Sequence, residues 1–206
     1  MGPCAAASGN AAEDYSPIPI GYHRGIDFAA LAKEPDYRAI CDDLWSRVFD
    51  PSGPEAYAWV RLFQAVVFED PSLWPPRMLD AVSGAESEDE LLWLAELLKF
   101  EGSLIIFRFP EITRSFLRRA VSLGGNELCH KMRIELYSGC GPQLRSYSNG
   151  MLDNELDYIE AAAAKAAEAH PTDELLGPFY RWIVEVEQKE RLLHKMQTEA
   201  AMASLD

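Results

Sequence analysis

Residues 87–98 read Ser-Glu-Asp-Glu-Leu-Leu-Trp-Leu-Ala-Glu-Leu-Leu, and this stretch decides the fold class. Ser87 and Glu90 have the spacing of a capping box, in which both side chains accept hydrogen bonds from backbone amides at a helix start. The apolar residues that follow recur at helical spacing, at Leu91, Leu94, Ala95 and Leu98. Gly102 then stands at a position suited to the end of a helix. The stretch therefore predicts an amphipathic helix.

Helical patterns of the same kind extend in both directions. Apolar stripes separated by Pro, Gly and Asn predict further helices over about 37–49, 54–67, 75–83, 110–123, 126–138, 153–169 and 178–196. This gives about eight helices in four antiparallel pairs, which begin near residues 37, 75, 111 and 153. The period of about 40 residues predicts an all-α fold of HEAT-like stacked antiparallel helical hairpins. An irregular helical bundle is the alternative architecture.

One stretch has β-propensity: residues 104–109 read Leu-Ile-Ile-Phe-Arg-Phe. No second strand pattern exists to pair with it, and a lone strand is not stable. We therefore expect a buried link, either extended or helical.

The chain divides into a short start and one larger domain. Residues 1–34 are rich in Ala, Gly and Pro, which predicts a disordered start and an extended arm. Residues 35–206 are expected to form a single α-helical, repeat-like domain. The four cysteines form no CxxC pair, the start lacks the features of a signal peptide, and no apolar run approaches the roughly 18 residues of a membrane span. These features predict a cytoplasmic protein with free thiols and no membrane partner.

The formal net charge is −14, which argues against a nucleic-acid partner because phosphate contacts need clustered Lys and Arg. General solubility and the attraction of a basic partner both fit this charge. The charge is also uneven: residues 80–101 hold seven acidic residues and one basic residue, and residues 107–149 hold three acidic and seven basic ones. We favour neutralisation between these two zones inside the fold over a separate anion-binding role.

The sequence contains no recognisable catalytic or cofactor motif. HExxH, phosphate-loop and GxSxG patterns are all missing, and Cys129, His130 and Cys140 do not have the spacing of zinc ligands. We therefore expect no enzyme, no catalytic residue, no cofactor and no metal. The remaining catalytic hypothesis is a site assembled from scattered carboxylates or from the polar loop at 139–150, which a ligand near Tyr147 or Asp157 would favour.

Several short motifs carry a resemblance to a known group of proteins. Residues 70–74 (Asp-Pro-Ser-Leu-Trp) and 91–94 (Leu-Leu-Trp-Leu) resemble the short helical repeat of bacterial HEAT-like proteins from polymorphic-toxin loci. Residues 144–150, 157–158 and 177–180 (Leu-Arg-Ser-Tyr-Ser-Asn-Gly, Asp-Tyr and Gly-Pro-Phe-Tyr) are similar to C-terminal tails in such groups. The resemblance implies an immunity protein that neutralises a cognate secreted toxin, as in contact-dependent or type VI competition.

The leading hypothesis is therefore an antitoxin-type immunity protein that binds and occludes a protein toxin with a basic surface. The alternative is a helical-repeat adaptor or scaffold that binds another protein partner. Binding residues concentrate beside loops, where this chain places much of its acidic charge. The candidate contact residues are Asp153, Glu155, Asp157, Tyr147, Glu88 and Asp89.

Overall fold

The computed structural model describes residues 74–99, 105–138 and 152–203, together with scattered positions between 35 and 46; over 152–157 it describes the backbone alone. These residues form six helices and no strand, so the predicted all-α class is confirmed. The helices are α1 (Trp74–Gly84), α2 (Glu88–Leu97), α3 (Ile105–Arg108), α4 (Pro110–Ser138), α5 (Leu152–Ala169) and α6 (Leu176–Ala203).

The first predicted helical pair and the N-terminal arm lie mostly outside the described residues. Within the predicted helix at 37–49, the positions that the structure describes from 39 to 46 are helical. They contact α1, because Arg77 forms an ion pair with Asp42 and its guanidinium lies 5.9 Å from the centre of the Trp45 ring. The predicted helix at 54–67 and the predicted disordered start at 1–34 fall outside the described part.

The capping signal at the start of α2 is confirmed, with one change in its partners. Ser87 has an extended backbone, and its hydroxyl accepts a hydrogen bond from the Glu90 amide at 3.2 Å. The Glu90 carboxylate accepts a hydrogen bond from the amide of Glu86 at 2.8 Å, one residue before the capping serine. Both side chains therefore satisfy backbone donors that a helix start leaves without internal partners.

The apolar link before α4 is helical. Ile105–Arg108 forms a single buried turn, and the Ile106 carbonyl accepts two hydrogen bonds, from the hydroxyls of Thr113 (3.1 Å) and Tyr180 (2.6 Å). A carbonyl at the end of a helix needs such external donors when it is buried. This one carbonyl thus fastens α3 to α4 and to α6.

The glycine pair that predicts a helix break does interrupt α4. Gly124 and Gly125 have non-helical backbone angles, and Gly125 has φ +64°, which favours glycine because it has no Cβ. The helix consequently has two parts, residues 110–123 and 126–138. Their bounds match the two helices predicted at 110–123 and 126–138.

The core is built from the predicted apolar stripes. Most stripe positions within the described residues are fully buried, among them Met78, Val82, Leu91, Leu94, Ile112, Phe116, Leu117, Ala120, Leu128, Met132, Phe179 and Ile183. The sequence also places Val121 and Leu193 on the apolar stripes of the predicted helices at 110–123 and 178–196, but they are exposed, at 40% and 51%. Val121 lies about 100° around the helix from Ala120, which puts it at the edge of the stripe. Leu193 lies on a part of α6 that continues past the core.

The α4 helix contacts most of the other helices. The first two helices, α1 and α2, contact each other and α4; α4 contacts α6; and α3 contacts α4 and α5. The most extensive contact is between α5 and α6, an antiparallel hairpin. None of the described helices has the length and apolar character needed to cross a membrane.

Candidate partner-binding surface

Glu88 and Asp89 lie exposed in the first turn of α2, as the sequence predicts. Acidic side chains are favoured there because the helix dipole is positive at its N-terminus. Glu88 also forms an ion pair with Lys131 on the second part of α4. The hydrogen bond that Lys131 donates to Glu88 raises the pKa of Lys131 above its ordinary value of 10.5. The charges of Glu88, Asp89 and Glu135 raise it further. Glu88 therefore has a structural partner as well as an exposed position.

Other basic residues of α4 are also used within the fold. Arg114 forms an ion pair with Asp173, with 2.6 Å between Nε and Oδ2. The Arg119 guanidinium donates to the carbonyl of Ala85, with 2.7 Å between Nε and the oxygen. Together with Lys131, these contacts support the interpretation that part of the basic zone is neutralised or occupied inside the protein.

A second ionic link joins α4 to the end of α2. The Lys99 ammonium lies 2.8 Å from Glu96 and also donates a hydrogen bond to Glu135. Burial lowers the pKa of Lys99, but the hydrogen bonds and charges of Glu135 and Glu96 outweigh it and raise the pKa above 10.5. The segment 80–101 therefore pairs with α4 through charges of both signs: its acidic Glu88 binds Lys131, and its basic Lys99 binds Glu135.

Asp173 is a residue whose role the sequence reasoning missed. Its Oδ1 accepts hydrogen bonds from the amides of Leu175 (2.9 Å) and Leu176 (2.8 Å), so it caps the start of α6 while its other oxygen holds Arg114. Burial opposes ionisation, but these hydrogen bonds and the charge of Arg114 prevail and lower the pKa of Asp173 below 3.8. Its position three residues before Leu176 is the signal that could have revealed it.

Asp153, Glu155 and Asp157 lie within the first two turns of α5, where a helix start was predicted. The structure describes only the backbone at these positions. By helical spacing, Asp153 and Asp157 share a face with Glu160, whereas Glu155 lies about 200° around the helix from Asp153. The last candidate, Tyr147, lies outside the described residues, as does the loop at 139–150 that contains it.

The face that carries Glu160 is turned toward α6. Glu160 forms an ion pair with Arg191 and accepts a hydrogen bond from Gln188 at 2.9 Å. Because α5 and α6 run antiparallel, the first turns of α5 lie beside the part of α6 that follows Arg191. Of the three α5 candidates, Glu155 is therefore the one whose position on the helix lies away from the face that contacts α6.

Two further features of α6 were missed by the sequence reasoning. Glu187 is fully buried and accepts a hydrogen bond from the hydroxyl of Tyr137 on α4. Farther along the helix, Leu192, Leu193 and Met196 are more than half exposed, at 59, 51 and 57%. Of these three residues, only Leu193 belongs to the apolar stripe that the sequence predicts for this helix.

The possible metal ligands near Cys129 do not assemble in the described part of the chain. Cys129 is a buried free thiol, and the adjacent His130 is exposed with its ring 6.4 Å from that of Trp182. The third residue considered, Cys140, lies outside the described residues. Across the regions that the structure does describe, no three His, Cys, Asp or Glu side chains are grouped for metal binding.

Comparison with protein-family models, with curated proteins and with solved structures found no match to this chain.

Proposed function

We propose that this protein is an immunity protein that binds and occludes a secreted toxin, using an acidic surface to meet a basic one. Its helices would form HEAT-like stacked hairpins. The resemblance of its short motifs supplies the class of partner. The charge arrangement supplies the mode of contact.

The pairing of three basic residues of α4 inside the fold carries this proposal. Arg114, Arg119 and Lys131 all have acceptors on neighbouring elements of the same chain. These cations are therefore less available to an external anion, while the chain as a whole keeps a formal net charge of −14. A surface of this sign attracts a basic partner over a distance and speeds its association.

Glu88 gives this surface a site where a basic side chain of a partner could replace Lys131 as the ion-pair partner of Glu88. The Glu88–Lys131 pair is half exposed on both sides, and such surface pairs contribute little to stability. An incoming Arg can bind a carboxylate through two parallel hydrogen bonds, which a Lys cannot do. We expect a toxin arginine to compete with Lys131 for Glu88, with Asp89 beside it.

The experiment is co-expression with the product of the neighbouring gene, scored both for a stable complex and for survival of the cells. Complex formation together with protection supports an immunity function. A complex without protection favours an adaptor. Absence of both would exclude this gene product as the partner and remove the basis for the proposal.

Charge reversals then locate the contact. Glu155→Lys and the pair Asp153→Lys with Asp157→Lys alter α5, and Glu88→Lys with Asp89→Lys alters α2. Glu111→Lys is the matched control, because Glu111 is an exposed acid at the start of α4. The proposal expects weaker binding for α2 or α5 variants and wild-type binding for the control.

A further inference from the structure

A regular apolar pattern runs along the whole of α6. Positions separated alternately by three and four residues are Phe179, Trp182, Val186, Lys189, Leu193, Met196, Ala200 and Ala203, here called the α6 seam. This is the spacing by which one helix packs along another in a coiled coil. Lys189 is the one charged residue in the seam.

The first half of the seam is covered by the protein itself. Phe179 is fully buried, and the Trp182 ring lies 5.5 Å from that of Tyr137 on α4 in an edge-to-face contact. The α4 helix ends at Ser138, one residue after Tyr137, whereas the α6 helix continues to Ala203. The helix that covers the seam therefore stops about halfway along it.

Within the part of the chain that the structure describes, the second half of the seam is open. Leu193 and Met196 are exposed by 51 and 57%, and Leu192 beside them by 59%. The α5 helix does not cover this face, because it contacts α6 through Gln188 and Arg191, which lie on another side of the helix. A clustered apolar stripe at regular spacing is typical of a surface that binds another helix.

We propose that a second copy of this chain covers the open half of the α6 seam, with the two α6 helices antiparallel. A parallel, in-register pair would place Lys189 against Lys189 of the second copy. In the antiparallel arrangement with Leu193 opposite Met196, Lys189 instead lies opposite Ala200 of the second copy and within reach of its Glu199. The symmetry of the dimer repeats this complementary contact.

The charges on α6 itself are balanced around the open half of the seam. The chain carries a formal net charge of −14, so two copies repel each other over most of their surfaces. On α6 the basic Lys189, Arg191 and Lys195 stand beside the acidic Glu190 and Glu199. The helix itself therefore adds little to the repulsion, which comes from the rest of the chain and includes the acidic residues in the first turns of α5.

The long-range repulsion gives the dimer a specific salt dependence. Salt screens the repulsion between two negatively charged chains, so the dissociation constant of the dimer should fall as the salt concentration rises. Binding of a basic partner through the acidic surface should weaken under the same change. The two associations are therefore separable in one buffer series, and the dimer does not depend on the proposed function.

The test is sedimentation equilibrium of the full chain over a range of concentrations, at low and at high salt. The weight-average mass should rise from 23.1 kDa toward twice that value as concentration increases, and it should do so at lower concentration in high salt. Leu193→Asp combined with Met196→Asp should keep the protein monomeric. Met202→Asp is the matched control, because Met202 is 67% exposed on the same helix but lies off the seam.

A charge exchange tests the antiparallel register. Lys189→Glu and Glu199→Lys alone should each raise the dissociation constant of the dimer by about threefold, and the double exchange should restore it. A double variant no better than the single ones would overturn this register. A wild-type protein that stays monomeric at all concentrations would overturn the dimer itself, as would a dimer that survives the two seam substitutions with circular dichroism unchanged.

Discussion

Arg114 and Asp173 join the first part of α4 to the turn before α6, with 2.6 Å between Arg114 Nε and Asp173 Oδ2. The same carboxylate caps α6 through the amides of Leu175 and Leu176. One side chain thus fixes both the start of the last helix and its attachment to α4. The consequences of its charge can be measured.

The Asp173 carboxylate should make stability depend on pH in the acidic range. Its pKa is lowered in the folded protein, so its contribution is complete above the ordinary value of 3.8 and is lost as the pH falls through the lower folded-state value. Asp173→Asn keeps an acceptor for the amides and removes the charge. At neutral pH we expect a loss of about 1 kcal/mol in the free energy of unfolding, from the ion pair.

Urea denaturation of both proteins between neutral and strongly acidic pH measures this effect. The difference between them should shrink as Asp173 becomes protonated. A difference that stayed constant with pH would contradict the role of this charge. Asp173→Ala, which also removes the cap, should lose about 1 kcal/mol more at every pH.

Gly177 is predicted to tolerate no side chain. A Cβ at this position would lie 2.8 Å from the backbone oxygen of His170, which cannot move aside as a side chain could. Gly177→Ala should therefore reduce the free energy of unfolding by about 1–3 kcal/mol. The matched control is Gly84→Ala at the end of α1, where nothing lies within 4 Å of the added Cβ. Equal thermal midpoints for the two variants would refute the steric explanation.

The Ile106 carbonyl should show coupling between its two donors. Tyr180→Phe and Thr113→Val each remove one hydrogen bond and should each cost about 1 kcal/mol. The double variant leaves the buried carbonyl without either donor and should cost more than the sum of the two. Thermal or urea unfolding of the four proteins gives the coupling energy, with Thr172→Val as an exposed control. Simple additivity would show that the carbonyl does not couple the two hydroxyls.

Glu88→Gln should separate stability from binding. The substitution removes an exposed ion pair with Lys131, so the free energy of unfolding should change by less than about 1 kcal/mol. Association with a basic partner should nevertheless become slower, since one charge of the acidic surface is lost. Parallel unfolding and surface-binding measurements test both statements. A large loss of stability with unchanged binding would assign Glu88 to the fold alone.

Local signals accounted for much of the fold. The capping pair Ser87 and Glu90 and the break at Gly124 and Gly125 act through neighbouring backbone, and both are where the sequence predicts them. The sequence predicts a start of the last helix at about Pro178, two residues later than the structure has it. In the structure α6 begins at Leu176, and proline fits there because amides of the first turn have no partner within the helix.

Long-range features could not be obtained in the same way. The buried Tyr137–Glu187 hydrogen bond joins residues 50 positions apart, and no local pattern marks it. Leu193 has the spacing of a core residue, but its exposure depends on where α4 ends rather than on α6 itself. The candidate acids were predicted from charge density, which gives their positions but does not reveal that Glu88 has a partner in Lys131.

The proposed function is tested most directly by the association rate constant between this protein and the product of the neighbouring gene, measured at low and at high salt. An acidic inhibitor of a basic toxin should associate rapidly at low salt and at least about tenfold more slowly at high salt. The combined Asp153→Lys and Asp157→Lys variant, or Glu155→Lys, should slow association at low salt, with Glu111→Lys as control. A rate unaffected by salt and by all of these reversals, or no binding, would contradict the proposal.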